Sequence, residues 1–359
     1  MPNAVTTKSN ASYVYGVQNK IAKGVLHNNK YATDVSMAFF QDPNAFASKS
    51  IFPNVKVDLD VGKYLIFDRE GLARVNAAKK PQAGMVQGFT VSNHDDLYAV
   101  EVYQTRLMFD MINQTRIDRS GVVGASNVMK SKARVVAEQL AIFQDIMFAD
   151  EYFKTGAWNT EYTGTDSNPT GRQFFKFSDA NFEPIKFFNG LKREMLEKTG
   201  RRPNKLLLGI DAFHALCECP ALLERISGNS SKGNPAIIFD SDLAGLLGFQ
   251  KISVFEGSYN AAPEGKPAEW KMIADPTAAL VCYSPDTPMI DEPSCGYSFT
   301  WDMLGNGNYA PMFFRESNDA SHTAELEGLL ATSFKKTCDD LGIFLSNCAD
   351  KKETAGSEE

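Results

Sequence analysis

Six cysteines are present, but none falls in a C-x-x-C pair, and Cys217-Glu-Cys219 is too tight for an ordinary zinc pair. With Cys282, Cys295, Cys338 and Cys348 they read as free thiols of a reducing compartment. No run approaches the roughly 18 apolar residues that a membrane span needs. The first ten residues lack an apolar core, so a cleaved signal peptide is not expected. There is no H-E-x-x-H, no G-x-S-x-G and no EF-hand loop. Gly228-Asn-Ser-Ser-Lys-Gly233 begins like a phosphate-binding loop, but Asn234-Pro235 stands where Lys and Ser or Thr are required. The four histidines (His27, His94, His214 and His322) fall in unrelated segments, and no local pattern supports a Cys282–His322 nucleophile pair. No catalytic residue, metal or cofactor is therefore expected. A net charge of −7 also opposes a nucleic-acid reader, which works through clustered Lys and Arg.

What remains is an ordinary globular composition, 43% hydrophobic and 23% charged, in a chain of 359 residues long enough for about two domains. Residues 1–50 are rich in Asn, Ser, Thr and Lys without a sustained period, as in an arm that orders against a partner. From Val55 to Val61 apolar and polar residues alternate, which predicts one half-buried strand. Tyr64 to Phe67 and Leu97 to Met108 also read as extended. Asp68 to Asp96 is charged and poor in large apolar side chains, which suggests a long hairpin reaching away from the body.

Ser126 to Phe153 predicts a long helix, with Val128, Val135, Val136, Leu140, Phe143 and Met147 as its buried stripe. A second helix is predicted from Pro184 to Gly200, capped by the Ser178–Asn181 cluster, with Ile185, Phe188, Leu191 and Met195 inward. Lys205 to Ile210 reads as a buried strand, followed by a helix that Asp211 caps and Pro220 interrupts. Short strands at 251–255, 270–274 and 278–283 complete a compact α/β module over about 176–300. Ala324 to Leu345 is a last extended region, and the polar tail from Lys351 reads as disordered. One basic strip stands out in the acidic chain: Arg116, Arg119, Lys130, Lys132 and Arg134 face only Asp118 across residues 115–134. It is either a solvated helix start, the reading favoured, or a strip meeting phosphates or acidic neighbours.

Three segments, Arg202-Pro-Asn-Lys-Leu-Leu-Leu-Gly-Ile-Asp-Ala-Phe-His-Ala-Leu216, Cys219-Pro-Ala-Leu-Leu-Glu-Arg-Ile226 and Leu243-Ala-Gly-Leu-Leu-Gly-Phe-Gln-Lys-Ile-Ser-Val254, resemble the major capsid proteins of tailed bacteriophages with the Hong Kong 97 fold. Pro293 to Trp301, Asp339 to Leu345, Phe52 to Val57, Gly62 to Tyr64 and Tyr152 to Trp158 resemble further landmarks in the family's order. The resemblance implies an α+β fold. Its parts are an N-terminal arm (1–50), an extended loop with supporting strands (51–110) and a peripheral domain with a spine helix (111–175). An axial domain (176–300), return strands (301–350) and a tail (351–359) follow.

As function, the resemblance implies an icosahedral shell enclosing phage double-stranded DNA, not an enzyme. An encapsulin-like nanocompartment shell is the alternative, followed by a cytoplasmic α/β enzyme with an unrecognised site. The implied partners are copies of itself in hexamers and pentamers, a separate scaffolding protein, a portal and a decoration protein. Packaged DNA would be touched only non-specifically, and no membrane is involved. Assembly is expected in the bacterial host cytoplasm and residence in the virion capsid. Arg69, Arg74, Lys79 and Lys80 of the extended loop are the expected intersubunit contacts, and the basic strip is a candidate inner face. Some members cross-link Lys to Asn. No pattern here identifies the Asn or the promoting Glu, so a non-covalent shell is expected.

Overall fold

The computed structural model describes residues 47–67, 93–112, 125–228, 240–288, 292–305, 307–316 and 322–351. It also describes His27–Asn28 and isolated positions between 75 and 88. Most of the arm, the tip of the predicted hairpin, the loop after Gly228 and the tail lie outside the described residues.

Among the described residues, two six-stranded sheets organise the fold. The first has the order β7-β6-β16-β12-β8-β9, formed by Thr160–Thr165 (β6), Gln173–Phe175 (β7), Lys205–Gly209 (β8), Lys251–Phe255 (β9), Ala279–Cys282 (β12) and Gly342–Ser346 (β16). Strands β8 and β12 are buried at every position, as central strands covered on both faces must be. Their side chains alternate between two cores. Leu206, Leu208, Ala279 and Val281 join one cluster, whereas Leu207, Leu280 and Cys282 join another.

Helices Pro184–Thr199, Ile210–Cys217 and Asp240–Leu247 (α3, α4 and α6) supply residues of the first cluster. Helix α3 starts with proline in its first turn and ends at Gly200 (φ +69°), whose N–H reaches the Leu196 carbonyl at 2.8 Å. Phe188, Leu191 and Met195 are buried as expected, but Ile185 is only half-buried. Two expected caps are absent. Glu183 stands at the N-cap of α3 without a side-chain bond, and α4 begins at Ile210, so Asp211 lies inside its first turn. Pro220 does open a separate helix, Pro220–Gly228 (α5).

The second sheet is built on one long strand, Thr323–Lys336 (β15). Glu101–Asp110 (β5) runs along one side of it. On its other side lie Met312–Glu316 (β14), opposite residues 324–328, and Gly296–Trp301 (β13), opposite residues 332–336. Asn54–Val57 (β2) pairs parallel with β13, and His27–Asn28 (β1) pairs with β14.

The predicted strand at 55–61 is in fact two. β2 ends at Val57 in this sheet. Val61–Phe67 (β3) instead pairs antiparallel with Asn93–Ala99 (β4) as a separate two-stranded hairpin. The turn between them is held from outside: Val57 and Asp58 carbonyls accept from the Asp302 amide and the Trp301 indole, and Asp60 accepts from the Val100 amide.

Ala125–Tyr152 (α2) is the predicted long helix; 28 residues give a rod of about 42 Å. Its first half packs on the second sheet through Ala133, Val136 and Ala137. Its second half, with Phe148, Ala149 and Tyr152, enters the core under the first sheet, so one helix spans both. Of the expected stripe Val136 and Leu140 are buried, whereas Val135 and Phe143 are exposed, and Ala133, Ala137 and Ala141 share the inner face. The helix and sheet approach closely at Gly328 of β15, where an added Cβ would stand 2.5 Å from Val136. The first sheet also crosses the divisions drawn at residues 175 and 300, since β6, β7 and β16 belong to it.

Candidate functional site

Among the described residues no group of three or more His, Cys, Asp or Glu could hold a metal ion. Cys282 is buried in β12 of the first sheet, while His322 is exposed just before β15 of the second. Burial holds the thiols of Cys295 and Cys348 well above their ordinary range, which opposes formation of the nucleophilic thiolate there. No described helix is long and apolar enough to cross a membrane. The candidate surfaces are therefore those where exposed side chains lie on rigid elements.

The β3–β4 hairpin is the first. Tyr64 and Tyr98 share its inner face and lie against Phe299 of the second sheet; the Tyr98 ring stacks at 4.5 Å and an angle of 8°. The opposite face turns Val61, Lys63, Leu97 and Asp95 outward, with a Lys63–Asp95 ion pair at 3.7 Å. Leu59, at the start of the hairpin, is 64% exposed. Lys79 and Lys80 are both exposed, whereas Arg69 and Arg74 lie outside the described residues.

The basic strip is described only in part. Arg116 and Arg119 lie outside the described residues, and the Lys130 side chain is not described. Lys132 is half-buried with its ammonium 3.2 Å from the centre of the Phe109 ring, while Arg134 is exposed. Two positions apart on a helix point about 200° from one another, so these two do not share a face.

Three polar arrangements had no signal in the sequence. On the face of the second sheet away from α2, Arg106 and Arg315 both pair with Glu325. Arg315 also meets Glu327 at 2.8 Å, and Gln104 donates to the same carboxylate. These residues are far apart in sequence and meet only through strand register. Second, Lys176 and Lys205 bury their stems and pair with the exposed carboxylates of Asp166, Asp350 and Asp286.

The third arrangement ties the short helix Ser48–Ile51 (α1) to the middle of α2. The buried Asp145 carboxylate accepts from the Ala47 amide (3.3 Å), the Ser48 amide (3.2 Å) and the Ser48 hydroxyl. Burial raises the Asp145 pKa, opposed by these hydrogen bonds and by Lys49. Burial likewise lowers Lys49 to about 7, opposed by Asp145. The unfolded chain thus binds more protons at Lys49 than the folded chain from about pH 7 upward, so this group makes stability rise with pH. Lys49→Met should flatten that rise relative to the parent chain between pH 7 and 9 in urea titrations. Identical pH slopes for the two proteins would contradict the assignment.

No protein-family model matches the chain, and no curated protein matches it by sequence. Solved structures do. A phage-related protein from Bordetella bronchiseptica superposes with a TM-score of 0.64 at 16% identity, covering 90% of this chain and 97% of that one. Looser superpositions, each with a TM-score of 0.47, are found with a holo-encapsulin complex from Synechococcus elongatus and the capsid of a cyanophage. The first has 13% identity and covers 86% of this chain and 89% of that one; the second has 9% identity and covers 82% and 85%. The first of these superpositions establishes the fold alone: an α+β chain of the Hong Kong 97 type, as the resemblance implied.

Proposed function

We propose that this chain is the major capsid subunit of a tailed-phage head, assembling as hexamers and pentamers into a closed icosahedral shell around double-stranded DNA. The observation that carries the reading is the fold shared with a phage-related protein over 90% of the chain. The β3–β4 hairpin supports it, since its outward face leaves apolar side chains exposed on a rigid ribbon, as in a surface that another chain covers. A subunit that carries such a surface grows into a bounded particle when its contacts close by symmetry. Chemistry is not part of the reading; the chain acts by packing against copies of itself. A scaffolding protein, a portal and a decoration protein are its further expected partners, and packaged DNA would be met only non-specifically. Virion residence and assembly in the host cytoplasm follow from the same proposal.

An encapsulin-like shell has the same kind of subunit and differs in its contents. Sedimentation and electron microscopy of the full chain, expressed with the genes beside its own, test both readings. Closed particles that protect double-stranded DNA from nuclease are the expected result. Particles filled with a cargo enzyme and free of DNA would transfer the proposal to the encapsulin class. A chain that stays monomeric under every assembly condition would end it.

A further inference from the structure

The six-stranded sheets end mostly in short strands. The first closes with β7 and β9, of three and five residues, and the second with β1 and β2, of two and four. Short edges are one way in which a fold avoids pairing with other chains. The hairpins β3–β4 and Ser258–Asn260 with Trp270–Met272 (β10 and β11) stand outside both sheets. Strand β5 is different. It runs for ten residues and pairs with β15 along its whole length. Among the described residues no strand pairs with its other side.

The two faces of β5 are distinct. Thr105 stands opposite Gly328, and Leu107 and Phe109 pack with Ala133 and Val136, so the odd-numbered side chains turn toward α2. On that side Phe143, 37% exposed, has its ring centre 4.8 Å from that of Tyr103. The even-numbered side chains turn outward, where Val102 is 48% and Met108 65% exposed. A charge in the middle of an edge strand ordinarily discourages pairing. Here the polar groups are drawn the other way: Arg106 pairs with Glu325 of β15, and Gln104 donates to Glu327. The edge is left long and partly apolar, with its central charge turned inward.

The strand is also complementary to itself. In an antiparallel pair of copies, a slip of one residue would set the α2 face of one against the outer face of the other. An axis through a residue avoids this, and an axis at Thr105 matches the side chains. Val102 then faces Met108 of the second copy and Tyr103 faces Leu107, so apolar meets apolar. Gln104 faces Arg106 without a like charge. Glu101 faces Phe109, over whose ring the Lys132 ammonium lies at 3.2 Å, so opposite charges approach at both ends. Moving the axis to Arg106 sets two arginines against each other and Val102 against Asp110. Moving it to Gln104 sets Val102 against Arg106. The arm of the same chain is held elsewhere, because His27–Asn28 pairs with β14 at the opposite side of the sheet.

We infer that β5 pairs antiparallel with β5 of a second copy about a two-fold axis at Thr105, joining the second sheets of two chains into one. A self-complementary patch makes this kind of closed, symmetric contact. The inference rests on the proposed shell function for its place, a two-fold contact between subunits of the particle. Thr105→Cys sets two thiols opposite each other on the axis, so mild oxidation of the associated full chain should give a covalent dimer that the parent chain does not. Val102→Cys and Met108→Cys should each give none alone and a dimer when mixed before association. Val102→Glu with Met108→Glu sets carboxylates against each other in both outer pairs. Sedimentation should show the concentration needed for association raised about tenfold, with thermal unfolding of the subunit unchanged because both positions are exposed. Val102→Glu with Met108→Lys sets opposite charges there and should restore association. Parent-like association of the two-glutamate chain, or no recovery in the glutamate–lysine chain, would overturn this contact, and closed shells would still support the shell function. A Thr105→Cys dimer that appears only when residues 1–46 are deleted would mean that the arm covers this edge, and would overturn it too. Dimers linked at Thr105→Cys from a chain that never builds particles would keep the contact and remove the shell function.

Discussion

Phe52→Ala is expected to remove about 3–5 kcal/mol of stability, the usual result of truncating a fully buried Phe. Phe52 is wholly buried directly after α1, and its ring meets Phe148 at 5.0 Å, Tyr152 at 5.1 Å and Phe334 at 6.0 Å. Those neighbours come from α2 and from β15 of the second sheet, in a core that also holds Leu207, Leu280 and Phe344 of the first. The site is closed tightly enough that a Cβ on Gly296 would stand 2.4 Å from the ring. Relaxation into the void is therefore limited on every side, which places the cost in the upper part of the range. Against a typical total of about 5–15 kcal/mol, such a loss leaves the subunit marginal. Denaturant titration should show a lowered midpoint with an unchanged slope. Leu59→Ala, at a position 64% exposed, should change little. A loss below about 1 kcal/mol for Phe52→Ala would mean that the segment from Ala47 to Val57 is not a structural clasp between the sheets.

That clasp shows where the sequence was legible and where it was not. Helices α2 and α3 and strands β8, β9 and β12 were readable because period and boundary signals agree there: proline and glycine at the ends, apolar runs between. The break at residues 58–60 was hidden. Asp58, Leu59 and Asp60 continue the alternation of a strand, yet distant groups from Val100, Trp301 and Asp302 bend the chain there. Reading α2 by its largest apolar residues succeeds at Val136 and Leu140 and fails at Val135 and Phe143, which lie off the face that Ala133, Ala137 and Ala141 turn inward. Nothing in the sequence around Asp145 marks it out. Its role appears only when residues 47 and 48, almost a hundred positions earlier, are brought against it. The Arg106–Glu325–Arg315–Glu327 network is likewise a product of register, which the pattern of a single strand does not contain.

Replacing residues 68–92 by a short Gly-Ser linker should leave a folded subunit and abolish particles. The folded part keeps what holds the hairpin to the body, namely Tyr64 and Tyr98 against Phe299, so thermal unfolding of the subunit should move little. What is lost is the polar excursion, which carries Arg69, Arg74, Lys79 and Lys80 and has too few large apolar side chains to form a core of its own. If its ordering is met by a neighbouring copy, assembly and protection from protease must appear together. Trypsin should cut free subunits early after Lys79, which is exposed, whereas Pro81 blocks cleavage after Lys80. The same bond should resist cleavage in assembled particles, and Arg74→Glu should weaken assembly more than it weakens the fold. Shells that form without residues 68–92, or equal trypsin sensitivity in free and assembled chains, would reduce the excursion to a surface loop. The contacts that close the particle would then have to come from the two sheets and their ends.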